Sequence, residues 1–368
     1  MEISTIIAGI SHGDINGIGY EVIIKTLMDS SINDFCVPVV YGSPKVAAYH
    51  RKALNINNFS FNNIKSLEEI NQKKANMINC LDDNVRVELG KSTPQSGESA
   101  FISLERAVDD LKNGKINVLI TGPIDKKSIQ SEKFTFAGHT EYLKSKFGAD
   151  EVLMLMVSEN MKIGFVTAHV PLANVSGMLT IDLIANKIRM MEQSLIVDFG
   201  IRRPQIAVMG LNPHAGDDSL LGTEEAEIII PAMKQTEKEG IMTFGPFAAD
   251  GFFGAGSFSK FDGILAMYHD QGLAPFKALS FDSGVNYSAG LPFVRTSPVH
   301  GTAFHLAGKG EASENSFRQA IYLACTIYKN RQMYAELTKD PLRHQDIETY
   351  SDRVDELPPD IDNTENNL

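Results

Sequence analysis

Three short apolar runs that each break off at a histidine constrain this chain more tightly than any other feature of its sequence. From Asp262 to Lys277 it reads DGILAMYHDQGLAPFK: the run Ile264 to Tyr268 stops at His269 and Asp270 and gives way to Gln271, Gly272 and Pro275. Lys162 to His169 (KIGFVTAH) ends the same way ahead of Val170 and Pro171, and Ile206 to His214 (IAVMGLNPH) ahead of Ala215 and Gly216. Runs this short, bounded by glycine and proline, read as strands buried on both faces, with loops behind them. Open α/β sheets carry their chemistry at the carboxyl ends of such strands. Three imidazoles therefore arrive at three equivalent strand ends.

The rest of the chain supplies a sheet around them. Ile3 to Ile10 reads as a first buried strand, and the loop Ser11 to Gly19 feeds a helix from Tyr20 to Asp29. Cys36 to Tyr41 is a second strand, followed by a helix from Pro44 through Arg51, and Asn117 to Thr121 is a further strand. This alternation predicts an α/β fold with a mostly parallel sheet. The Asn-rich segment Asn55 to Glu88 reads as short edge strands. Ser99 and Thr180 are the expected caps of helices running to Leu111 and Ile196, and a third helix spans Glu224 to Lys238. Gly245 to Gly256 reads as a Gly/Phe-rich connection carrying Asp250, and a long helix, Glu314 to Lys329, follows the last loops.

A chain of 368 residues is long enough for two lobes. Its net charge of -12 and pI near 5.3 argue against a nucleic-acid surface, while leaving room for a local basic pocket that takes a phosphorylated metabolite. Cys36, Cys80 and Cys325 have no metal-type spacing and suit buried filler in a reducing compartment. The apolar run at the N-terminus is too short for a signal peptide, and no stretch approaches the roughly 20 apolar residues of a membrane helix, so a cytoplasmic protein is expected. The segment 345–368, acidic and carrying Pro358 and Pro359, reads as a disordered tail without a catalytic role.

A single histidine at a strand end is usually satisfied by a neighbouring carbonyl. Three of them, with an open fourth position, make a Lewis-acid site of the kind that holds Zn2+. Asp270 stands where it could orient an imidazole or join the coordination shell. Lys277, Asn286 and Arg295 put two cations and an amide into one loop-rich stretch, a combination suited to phosphate and carboxylate. His139 and Thr140 open a predicted helix, whose free N–H groups favour an anion, although Thr140 also fits as a plain cap. Lys126, in the loop behind Thr121, reads equally well as an anion contact or a solvated lysine. Asp250 and Lys277 are the catalytic candidates, with Asp250 as the proton acceptor; a structural aspartate at a turn fits Asp250 as well.

These residues carry a resemblance. GHTEYL (Gly138 to Leu143), TAHVPL (Thr167 to Leu172), LNPHAG (Leu211 to Gly216), YHDQGLAPFK (Tyr268 to Lys277) and GVNYSAGLPFVRTS (Gly284 to Ser297) resemble the ordered motif set of the 4-hydroxythreonine-4-phosphate dehydrogenase family of pyridoxal phosphate biosynthesis. The resemblance implies two α/β/α lobes flanking a cleft, as in the isocitrate and isopropylmalate dehydrogenases. It implies a divalent metal, Zn with Mg or Co as alternatives, on His169, His214 and His269, shared between the subunits of a homodimer. It also implies that His139, Thr140, Lys277, Asn286 and Arg295 hold the substrate, and that NAD lies near His300, Gly301, Thr302 and Ala303. The expected terminal lobe is 1–123 with 248–344, and the central lobe 124–247. The chain departs from the family pattern at Ile15, Asn16 and Tyr20, at Asp125, and at Val299 and His305, where acidic residues are common. Within the family's chemistry a threonate 4-phosphate is the rival substrate, and a phosphate acyltransferase of the same fold superfamily is the rival activity.

Overall fold

The computed structural model describes residues 5–340, so the acidic tail lies outside the described residues. Twelve strands form one sheet: β1 (Ile7–Ser11), β2 (Val37–Gly42), β3 (Asn62–Ile64), β4 (Asn76–Asn79), β5 (Val118–Thr121), β6 (Leu153–Val157), β7 (Lys162–Phe165), β8 (Gln205–Met209), β9 (Met242–Phe247), β10 (Gly263–Ala266), β11 (Val285–Ala289) and β12 (Val294–Pro298). Their order is β3-β4-β2-β1-β5-β12-β11-β6-β7-β10-β8-β9. Pairing is parallel except where β11 meets β12 and β6, and where β6 meets β7. Every residue of β2, β5, β10 and β12 is buried; β2, β5 and β10 read as apolar runs for that reason, whereas β12 buries the polar residues Arg295, Thr296 and Ser297. The fold is α/β.

Only three adjacent antiparallel pairings interrupt the parallel sheet, and they divide it by direction. The strands β7, β10, β8 and β9 run opposite to β1, β5 and β12. After Phe247 the chain adds β10 between β7 and β8, and β11 beside β6. The chain crosses back to the β5 side of the sheet at the β11–β12 hairpin.

Helices cover the two faces, and three local readings change. The residues after His269 are no loop: a helix runs from His269 to Ser280 with Pro275 inside it. Gly272 is needed there for packing, since a Cβ would sit 2.7 Å from Ile163 Cγ2 and 3.0 Å from Phe165 Cε1. The helix expected from Ser99 starts at Pro94, where Thr93 and Ser96 form a reciprocal capping box, and Ser99 instead donates to the Gln95 carbonyl at 2.7 Å. Part of the Gly/Phe-rich connection is β9 and a short helix, Ala249–Gly254. Thr180 caps its helix as expected, accepting from the Leu183 N–H at 3.1 Å. No helix among the described residues is long and apolar enough to cross a membrane.

Candidate active site

A cavity of about 350 Å3 gathers the anion-binding candidates from several elements. The loop after β5 brings Gly122 to Ile124 and Lys126; the helix His139–Phe147 brings His139 and Thr140; β11 and β12 bring Asn286 and Arg295. Lys277 of the helix His269–Ser280, His169, and the turn at His300 and Gly301 complete the wall.

Arg295 sits at its base, 3% exposed. Its Nε and Nη2 donate to Thr121 Oγ1 at 3.1 and 2.6 Å, and Nη1 donates to Ser288 Oγ at 3.2 Å. Hydroxyls solvate this cation without neutralising it, and no carboxylate lies within ion-pair distance of it among the described residues. Burial pulls its pKa down to about 10. The Glu141 carboxylate opposes that shift from beyond ion-pair distance, and a buried guanidinium so weakly balanced is costly unless a closer anion joins it. His139 stays neutral well below the ordinary histidine range because it is desolvated and faces Arg295 and Lys126. His139 Nε2, Asn286 Oδ1, His300 Nε2 and Glu141 Oε2 are shut off from solvent without a hydrogen-bond partner, and all four residues line this cavity. Orphaned buried polar atoms are rare, and four around one cavity mark the contacts a polar ligand would complete. Gly138 caps the helix His139–Phe147 without a side chain, so its first N–H groups are free for an anion.

The histidines stand on the oppositely running strands. His169 follows β7 and His269 opens the helix after β10, with ring centroids 6.0 Å apart. Two polar side chains lock these strand ends together. Thr167 Oγ1 donates to the Met267 carbonyl at 2.8 Å, while Gln271 accepts from Met267 N–H and donates to the Gly210 carbonyl behind β8. His269 Nδ1 lies 2.6 Å from Asp270 Oδ1 and His169 Nδ1 lies 3.4 Å from Glu141 Oε1. Each carboxylate favours the Nδ1–H tautomer and leaves Nε2 as a ligand, the arrangement typical of imidazoles around zinc. These two donors fit a divalent cation. No third His, Cys, Asp or Glu joins them within one chain among the described residues.

His214 is exposed behind β8, in a loop where six successive residues, His214 to Ser219, have positive φ. Such a backbone persists only when its surroundings over-determine it. The buried carboxylate of Glu225 does so, accepting from Leu211 N–H and Asn212 N–H at 2.7 Å each, and from Asn212 Nδ2 at 2.9 Å.

A second cavity, about 600 Å3, shares Lys277, His300 and Gly301 with the first and continues past Ala303, His305 and Ile18. Thr302 does not line it; its carbonyl accepts the Ile18 N–H at 3.0 Å. Gly17 makes that contact possible, because a Cβ there would lie 2.7 Å from the Thr302 oxygen. Asp250 is exposed on the helix Ala249–Gly254 and lines neither cavity. Sequence reasoning missed Glu141, Thr121 and Ser288. Glu141 stood inside GHTEYL, directly after two residues that were singled out, where an acid in a first helical turn looks solvated.

The chain is similar to known proteins over most of its length. A protein of Bacteroides thetaiotaomicron named 4-hydroxythreonine-4-phosphate dehydrogenase is 52% identical over 354 residues, covering 96% of this chain and 97% of that protein. One from Oceanobacillus iheyensis, provisionally named a D-threonate 4-phosphate dehydrogenase, is 38% identical and covers 87% and 97%. The crystal structure of the Klebsiella pneumoniae 4-hydroxythreonine-4-phosphate dehydrogenase superimposes with a TM-score of 0.76 at 32% identity, over 89% of this chain and 99% of that one. The family model described as pyridoxal phosphate biosynthetic protein PdxA matches residues 34–324, and the chain belongs to that family.

Proposed function

We propose that this protein is a cytoplasmic, homodimeric 4-hydroxythreonine-4-phosphate dehydrogenase, which oxidises and decarboxylates 4-phosphooxy-L-threonine to 3-amino-2-oxopropyl phosphate with NAD and a divalent cation. The observation that carries the substrate class is the buried Arg295, with no carboxylate in ion-pair contact, in a cavity that presents Lys126, Lys277 and free helix N–H groups against the single carboxylate of Glu141. That wall is built for phosphate and carboxylate. Anchoring both ends of a short substrate turns binding energy into orientation of its central carbon.

His169 and His269 would hold the cation through Nε2, with the partner's His214 completing the set, because one chain brings only two of the three imidazoles together. When bound, zinc, or magnesium or cobalt in its place, would acidify the secondary hydroxyl and stabilise negative charge as CO2 departs. On this reading the secondary carbon would give its hydride to the nicotinamide while the hydroxyl oxygen gives up its proton to solvent or a base, leaving a β-keto acid; loss of CO2 and uptake of a proton at the α-carbon would then yield the amino ketone. Lys277, shared by both cavities, stands between the substrate's anionic end and the cofactor. His300 and Gly301 form the common wall against which the nicotinamide would lie.

One assay tests this: NADH formation from 4-phosphooxy-L-threonine, with and without EDTA, beside D-threonate 4-phosphate. Chelator-sensitive turnover of the phosphooxy-threonine is expected. The Oceanobacillus relative supports the threonate reading, at lower identity than the Bacteroides one, and preferential turnover of the threonate would replace our assignment.

A further inference from the structure

We propose that Glu141 is a positioning residue for the imidazole of His169, the link that ties the anion clamp to the cation-binding histidines. Among the residues lining the clamp cavity Glu141 is the one carboxylate, and it shares the wall with Lys126, Lys277 and Arg295. Its two oxygens do different things. Oε1 faces His169 Nδ1 at 3.4 Å, across 28 residues of sequence, while Oε2 is closed off from solvent with no partner. The backbone under it is fixed, since Glu141 lies in the first turn of the helix His139–Phe147, directly behind the two clamp residues His139 and Thr140. A carboxylate so held sets which nitrogen of His169 carries the proton and which way the ring points. His269 has its own carboxylate, Asp270, but that side chain is 84% exposed and adjacent in sequence, whereas Glu141 is 39% exposed and reaches His169 from another element.

The inference rests on the cation reading given above, and the test separates the two. Apo protein is titrated with Co2+, read by its visible absorption and by competition with a chromophoric chelator, for wild type, Glu141→Ala, Glu141→Gln and His169→Ala. Expected are loss of binding in His169→Ala, a dissociation constant raised about 10- to 100-fold in Glu141→Ala, and substantial recovery in Glu141→Gln, which keeps an acceptor oxygen. An acid that merely favours the helix N-terminus would change melting temperature and leave the Co2+ spectrum and affinity alone. Wild-type affinity in Glu141→Ala, alongside lost binding in His169→Ala, overturns the role of Glu141. Wild-type affinity in His169→Ala overturns the cation reading and this inference with it.

Discussion

Arg295→Lys keeps a positive charge at the base of the clamp and removes its geometry. Of the five N–H groups of a guanidinium, Nε and Nη2 each commit one to Thr121 and Nη1 commits one to Ser288. One N–H on each terminal nitrogen remains, a fork matched to two oxygens of a phosphate or carboxylate. A lysine ammonium has three donors at a single point and cannot serve Thr121, Ser288 and two ligand oxygens together. At least one charge-assisted contact is lost, a cost of about 1.5–3 kcal/mol, or about 10- to 150-fold in kcat/KM. Stability behaves differently. With no carboxylate paired to Arg295, a lysine ammonium can still donate to Thr121 or Ser288, so the ligand-free fold loses about one such bond, about 1 kcal/mol. The ligand-free melting temperature should move little, while the rise produced by saturating substrate should shrink with the lost affinity. Both quantities come from one preparation by calorimetry and steady-state kinetics, and bound metal should be unchanged. A destabilised variant with unaltered kcat/KM would make Arg295 a structural residue and refute the reasoning.

Three further outcomes are expected. Mixing inactive His169→Ala and His214→Ala subunits should restore about a quarter of wild-type activity if each site draws histidines from both members of a C2 dimer, since half the dimers are then mixed and each has one intact site; no recovery after confirmed subunit exchange would place all three histidines in one chain. His12 and His50, stacked on either side of Tyr20, have pKa values pushed down to about 4 by burial. They remain neutral in the fold while the unfolded chain takes up protons below about pH 6.5, so each contributes a loss of up to about 1.4 kcal/mol of stability per pH unit as pH falls from 6.5 toward 4; urea unfolding between pH 7 and 5 should show a shallower slope in His50→Gln, and an unchanged slope counts against it. Glu225→Ala strips the acceptor from two backbone N–H groups under the left-handed loop and should cost about 1–3 kcal/mol for each donor left buried; a melting temperature equal to wild type would show that the loop holds itself.

The sequence exposed the site unevenly, and the sheet's change of direction explains where. The strands β7, β8 and β10 are parallel neighbours, so their apolar runs end at the same edge, and His169, His214 and His269 were readable as equivalent from local pattern alone. Glycine and proline were weaker guides. Gly272 and Pro275 looked like loop punctuation, whereas Gly272 serves a close helix–sheet contact and Pro275 sits inside the helix. Asp250, which reads as a base or as a structural aspartate at a turn, is exposed on the helix Ala249–Gly254 and lines neither cavity. The clamp depends on contacts that no local window contains: Arg295 on β12 bonds Thr121 on β5, a separation of 174 residues. Because β6 and β7 are antiparallel, the ends of β5 and β12 and the ends of β7 and β10 carry their loops from opposite directions, and the cavity draws on both sets. A single parallel sheet would leave the cations and the imidazoles side by side along one edge. Reversal instead brings Arg295 of β12 and Lys126 behind β5 into one cavity with His169 behind β7, and Glu141 and Lys277 line that same cavity.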